Sequence, residues 1–234
     1  MTMRMLGLAA SIALAGQAQA ANLVLNGDFE AGNTGFATSY TYNAANGTAQ
    51  GVYTVGSNPR AWHSAFVVAG DHTTGSGLMF IANGSANEGD IVWQSSPIDI
   101  AAGIDYFFEA FVMNAYPASP PVLTFTVSLD GGEEFELNTL TVPVTPTGIW
   151  HGLSTTFNSG GATTASLFLR NAQTAFGGND FAIDDIWLGT TSIVNPTEPT
   201  DPGGPTNPVP EPAALALFGL GLAGLGILRR RKTA

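Results

Sequence analysis

Cysteine is absent from the 234 residues. Disulfides, thiolate nucleophiles and cysteine-based zinc sites are therefore excluded. Basic residues are almost absent from the body of the chain. Of the seven, Arg4 lies near the start and Arg229, Arg230, Arg231 and Lys232 lie at the end, leaving only Arg60 and Arg170 between them. Fifteen acids from Asp28 to Asp185 face these two cations, so the body carries a formal charge of about −13. Such a surface repels phosphate backbones and excludes nucleic acid as an expected partner. It is compatible with cations such as calcium and with neutral ligands such as sugars. Histidine is scarce: His63, His72 and His151 are widely spaced, and no HExxH, HxH or G-x-S-x-G pattern occurs. A helical period is missing from the whole central region.

The two ends differ in kind from the middle. Residues 1–20 hold Arg4, an apolar stretch from Met5 to Ala15 and an Ala18-Gln19-Ala20 exit. This three-part order predicts a secretory signal peptide, a short helix cleaved before Ala21. Residues 21–194 are long enough for one domain with its own core. Residues 195–208 are proline-rich and aperiodic, as in an extended spacer. Residues 209–234 open with Pro210-Glu211-Pro212, continue as an apolar helix over 213–228 and end in the basic cluster 229–232. That helix would be about 24 Å long at about 1.5 Å per residue, short for a span and rich in glycine. The cations after it favour a cytoplasmic C-terminus.

Within the domain the period is two. Tyr106, Phe108, Ala110 and Val112 alternate with Phe107, Glu109, Phe111 and Met113; Leu123, Phe125, Val127 and Leu129 alternate with hydroxyl residues. Phe135 and Leu137 alternate with Glu134, Glu136 and Asn138, and Leu167 and Leu169 with Ser166, Phe168 and Arg170. These are half-buried strands. Asp130-Gly131-Gly132 between two of them reads as a tight hairpin turn. Ten to twelve such strands predict an all-β fold, an antiparallel β-sandwich.

Three segments carry a resemblance. Asn22 to Glu30 (NLVLNGDFE) opens the domain, Gly70 to Gly84 follows, and Gly178 to Leu188 (GNDFAIDDIWL) closes it. Together they resemble the jelly-roll β-sandwiches of galactose-binding-like domains and carbohydrate-binding modules. The C-terminal order of Pro210-Glu211-Pro212, apolar run and Arg229, Arg230, Arg231, Lys232 resembles the PEP-CTERM sorting signal of Gram-negative exosortase systems. That second resemblance implies export through the secretory machinery, transient inner-membrane anchoring, processing by exosortase and delivery to the cell surface or extracellular matrix.

The jelly-roll resemblance implies one structural calcium ion, which joins the first strand, the last strand and a nearby loop. It carries over onto Asp28, Glu30, Asp71 and Asp184. Strict alternation would put Asp184 and Asp185 on opposite faces, so only one of the pair is expected as a ligand. The same acids could instead cap turns or face water. Tyr40, Tyr42, Trp62 and Tyr116 lie near polar, Gly- or Pro-rich stretches, where a sugar-stacking rim could form; Trp93 and Trp187 lie in apolar strands and read as core. His63 and His151 each follow a tryptophan and read as strand residues. Glu133, Glu134 and Glu136 after the hairpin turn read as a solvated edge rather than a catalytic pair. The reading is a non-enzymatic exported protein that interacts with exopolysaccharide through a carbohydrate-binding-like domain. The alternatives are a structural or adhesive surface protein without a sugar site, and a polysaccharide hydrolase.

Overall fold

The computed structural model describes residues 21–196. The expected leader over 1–20, most of the spacer and the whole of 209–234 lie outside the described residues. Among the described residues no helix is long and apolar enough to cross a membrane.

The chain forms β1 (Phe36–Ala37), β2 (Thr41–Tyr42), β3 (Val52–Gly56), the single turn α1 (Pro59–Trp62), β4 (Met79–Asn83), β5 (Ile91–Ser95) and β6 (Ile98–Asp99). It continues with β7 (Asp105–Asn114), β8 (Val122–Leu129), β9 (Glu134–Thr141), β10 (Trp150–Asn158), β11 (Thr164–Asn171) and β12 (Phe181–Gly189). One sheet has the order β1-β5-β11-β8-β9, with β6 also on β11. The other has the order β10-β7-β12-β4-β3-β2. From β7 onward the chain crosses repeatedly between the sheets, as in a jelly roll. Pairing is antiparallel throughout except between β2 and β3.

The alternation acts as expected. Tyr106, Phe108, Ala110 and Val112 of β7 meet Leu123, Phe125 and Val127 of β8 and Leu167 and Leu169 of β11 in one core. The β8–β9 turn has positive φ at both Asp130 (49°) and Gly131 (68°), the twist that a tight hairpin needs. In β9 the register shifts opposite Phe125/Thr126. Leu137 is the extra residue there and packs against the core, whereas Phe135, opposite Val127 on this edge strand, is 43% exposed.

The outer face of the second sheet is not bare. Val52, Met79, Ile81, Met113 and Ala182 form a second apolar cluster roofed by Trp62 and Phe66. Two further segments close this face. Beyond Ile183, β4 no longer pairs with β12, and the N-terminal segment takes over. There Gly27 O accepts from Ile186 N at 2.8 Å, Leu23 N donates to Leu188 O at 3.0 Å, and Asn22 bonds both Ile186 O and Leu188 N through its side chain. A β-carbon on Gly27 would overlap Ile186 O, so this contact requires glycine. At the other end, residues 191–194 strap across the sheet. Trp187 Nε1 donates to Thr191 O at 3.0 Å, and the fully buried Glu109 accepts from Ser192 Oγ, Ile193 N and Val194 N. Trp187 is therefore buried as expected, but under this strap rather than in the core.

Candidate functional site

Of the four aromatics expected at a rim, the fold brings two together. Tyr42 ends β2 and is 46% exposed, with its ring leaning on Tyr53 at 5.4 Å. Trp62 closes α1, which Asn58 caps by accepting from Arg60 N at 3.0 Å. Both line one open groove of about 230 Å³, with Thr54, Gly56, Ser57 and Asn58 between them. Trp62 is only 9% exposed: its Nε1 donates to Asn43 O at 2.6 Å and its ring lies over Gly47. The other two residues belong elsewhere. Tyr40 is a core residue whose hydroxyl accepts from Ser85 N at 3.0 Å, and burial pushes that hydroxyl well above its usual range. Tyr116 packs half-buried against the second apolar cluster. The parallel pairing of β2 on β3 sets Tyr42 beside Tyr53, a non-local pairing that single-sequence periodicity does not reveal.

The four acids expected around a calcium ion divide. Glu30 Oε1 accepts from Leu78 N at 2.7 Å, and Asp71 accepts from Thr74 N at 2.7 Å and Gly77 N at 2.6 Å. Burial works to raise Asp71, but the amides and hydroxyl of its own turn outweigh it and hold the carboxyl below the usual range. The two carboxylates converge on Gly77: a β-carbon there would overlap Glu30 Oε1 and approach Asp71 Oδ2 to 3.1 Å. Asp184 engages the neighbouring residues, accepting from His72 N at 2.8 Å and Thr73 N at 3.2 Å. Burial and the adjacent Asp185 push it up to about 7. Asp28 faces a separate cavity with His72 and Asp185. Among the described residues no three His, Asp or Glu side chains are grouped to hold one ion. A calcium ion takes about six to eight oxygens. The fit is thus partial: Glu30 and Asp71 supply carboxylates, and loop carbonyls would have to supply most of the rest.

Strict alternation fails at Asp184 and Asp185. The register of β12 against β7 shifts between Asp184 and Trp187, and Asp185 takes φ 47°. Through this bulge both aspartates reach the same hydroxyl, with Thr73 Oγ1 at 3.2 Å from Asp184 and 2.8 Å from Asp185. Asp185 also holds His72 Nδ1 at 2.6 Å, and the imidazole stacks flat on Phe111 at 3.6 Å. Sequence reasoning weighed Asp185 against Asp184 and set it aside on strict alternation, and it missed Phe111; the cue was the doubled aspartate in an otherwise alternating strand.

Other titratable groups singled out in the sequence lie apart from these clusters. Arg170 forms a forked ion pair with Glu134, donating from Nη2 at 2.5 Å and from Nε, and also reaches Gly89 O at 2.7 Å. The Arg170 hydrogen bond and charge hold Glu134 below the usual carboxylate range. His63 caps the end of α1 rather than lying on a strand. His151 lies on β10 opposite Val112, as expected of a strand residue.

Residues 208–232 match the PEP-CTERM protein-sorting motif. No curated protein sequence is significantly similar to the chain. Among solved structures, the carbohydrate-binding module TmCBM61 in complex with β-1,4-galactotriose is 16% identical, over 73% of this chain and 99% of that one, with TM-score 0.46. The CBM22-1–CBM22-2 tandem of Paenibacillus barcinonensis Xyn10C is 14% identical over 79% of this chain and 50% of its own, with TM-score 0.45. The enzymatically active domain of bacteriophage CBA120 tailspike protein 4 is 18% identical over 72% of this chain but only 21% of its own, with TM-score 0.44. At these identities and scores the likeness assigns no ligand to this chain.

Proposed function

We propose that this is an exported surface or matrix protein whose sandwich domain holds a neutral stretch of exopolysaccharide in the groove between Tyr42 and Trp62. The observation that carries the reading is the convergence of these two aromatics on one open groove with polar Thr54, Ser57 and Asn58 between them. A pyranose ring can lay its C–H face on Tyr42 while its hydroxyls meet the polar rim. The charge of the domain disfavours anionic chains and leaves neutral ones. The role is binding rather than catalysis, with the secretory machinery, exosortase and, transiently, the inner membrane of a Gram-negative cell as partners. The signal peptide at 1–20 and the sorting motif at 208–232 support that route. Calcium belongs to the same reading as a stabilising ion bound by Glu30 and Asp71, next to Asp184.

Affinity electrophoresis of the full chain through gels containing neutral exopolysaccharide tests the groove. Retardation that Tyr42→Ala abolishes, with an unchanged melting temperature, is the expected result; unretarded wild-type protein in every neutral polysaccharide would sink the reading. Deleting residues 209–234 should release soluble protein, and retained surface display would refute the sorting route.

A further inference from the structure

A cavity of about 460 Å³ shares no lining residue with the Tyr42–Trp62 groove. The N-terminal segment, His72, Phe111, Asp185 and Trp187 line it. Its volume suits a small ligand, and its hydrogen-bonding inventory says which kind. Asn26 Nδ2 donates both its hydrogens, to Gly32 O at 3.0 Å and Thr34 O at 2.7 Å. Trp187 Nε1 donates to Thr191 O, and Asn22 Nδ2 donates to Ile186 O. The side-chain donors are thus almost all used within the protein.

What remains is acceptor. Asp28 is touched only by Glu30 N, at 3.4 Å, so its carboxylate is nearly free. Asp185 lies 2.6 Å from His72 Nδ1, and in the neutral tautomer that donates from Nδ1 the other ring nitrogen, Nε2, is an acceptor. The ring cannot turn away, because it lies flat on Phe111 at 3.6 Å and its own amide is held by Asp184. An anion would meet Asp28 and Asp185 and the negative field of the whole domain. A neutral polyol could donate its hydroxyls to these acceptors, but it brings no charge to offset Asp28 and Asp185. A protonated amine brings three donors for these acceptors and a positive charge to offset the two carboxylates.

We propose that this cavity binds a primary amine, with Asp28 and His72 Nε2 as its hydrogen-bond acceptors and Trp187 and Phe111 as its walls. Such an amine can come from a deacetylated amino sugar or from a free aliphatic amine, and the chemistry of recognition is shared.

The test is isothermal titration of the full chain with glucosamine, glucose and putrescine. Glucosamine or putrescine should bind, with glucose weaker by about tenfold or more, the loss expected when one charge-assisted hydrogen bond is missing. Binding of glucosamine alone identifies a sugar-borne amine; binding of putrescine alone identifies a free one. Asp28→Asn should weaken amine binding about tenfold without moving the melting temperature, whereas Tyr42→Ala should leave it unchanged. Should Asp28→Asn fail to fold, NMR shifts on adding the amine to wild type decide: the His72 ring and the Trp187 indole should move and the Trp62 indole should not. Glucose binding as tightly as glucosamine, no binding by either amine, or shifts confined to Trp62 would overturn the proposal. Retardation by neutral polysaccharide is independent of every one of these outcomes, so the groove and the cavity fail separately.

Discussion

Glu109 is fully buried on the outer face of β7 and, among the described residues, forms no ion pair. Oε1 accepts from Ser154 Oγ and Ser192 Oγ, each at 2.5 Å, and Oε2 accepts from Ile193 N at 2.6 Å and Val194 N at 3.2 Å. Three of these four donors belong to the strap that leads into the proline-rich spacer. Glu109→Ala removes the acceptor and leaves two main-chain N–H groups and two hydroxyls without partners. A buried donor left unsatisfied costs about 1–3 kcal/mol, so stranding these groups, on a strap that water partly reaches, costs about 3–5 kcal/mol in all. In a domain of this size each kcal/mol lowers Tm by about 2–4 °C, so a drop on the order of 10 °C is expected. Glu109→Gln should cost much less, about 1 kcal/mol. Its amide oxygen can face Ile193 N and Val194 N while its NH2 donates to the two hydroxyls, which rotate to accept. Calorimetry gives the melting temperatures, and amide exchange gives the protection of Ile193 and Val194, which should vanish in Glu109→Ala. If Glu109→Ala melts within a degree or so of wild type, or if Ile193 and Val194 stay protected in it, Glu109 does not hold the strap.

Burial pushes Asp180 up to about 7, opposed only by the Gly84 amide. The folded state then holds this proton where the unfolded chain has lost it, so stability falls as pH rises from about 4 to about 7 and levels off above. Asp180→Asn should flatten that fall in urea titrations; equal slopes for the two proteins would refute it. Below pH 4 Asp71 and Glu134, both held low, act in the opposite direction and stability is lost as they protonate. The Arg170–Glu134 pair is partly exposed, so a double-mutant cycle with Arg170→Ala and Glu134→Ala should give a coupling of about 1 kcal/mol that shrinks in high salt; a salt-independent value would contradict a screened surface pair. Gly77→Ala should displace Glu30 from Leu78 N and abolish any rise in melting temperature on adding calcium. A chelator that leaves the wild-type melting temperature unmoved would end the calcium proposal.

Much of the fold was legible along the chain. The alternation in β7, β8 and β11 names the core face residue by residue, because a strand exposes one face to each side and one of these faces is always buried. The Asp130-Gly131 turn was legible because few residues tolerate positive φ. The sorting motif at 208–232 was legible because it is contiguous. Less of the candidate sites could be read. Tyr42 and Trp62 were both singled out, but so were Tyr40 and Tyr116, and polarity of the neighbours did not separate a groove wall from a core residue.

Local patterns in this sequence determine what each strand buries, where the chain turns and which segments lie outside the domain, since these depend on neighbours one to four residues away. Only the tertiary structure decided which distant residues meet. Asp184 and Asp185 share Thr73, more than a hundred residues earlier, because a bulge in β12 overrides alternation. Glu109 could be buried because residues 192–194 return across the sheet to satisfy it. Asp28, two residues from Glu30, faces a different cavity because the N-terminal segment must complete the edge of β12. In each case the deciding contact is long-range, and an acceptor's partner is set by the packing of sheets rather than by the residues on either side of it.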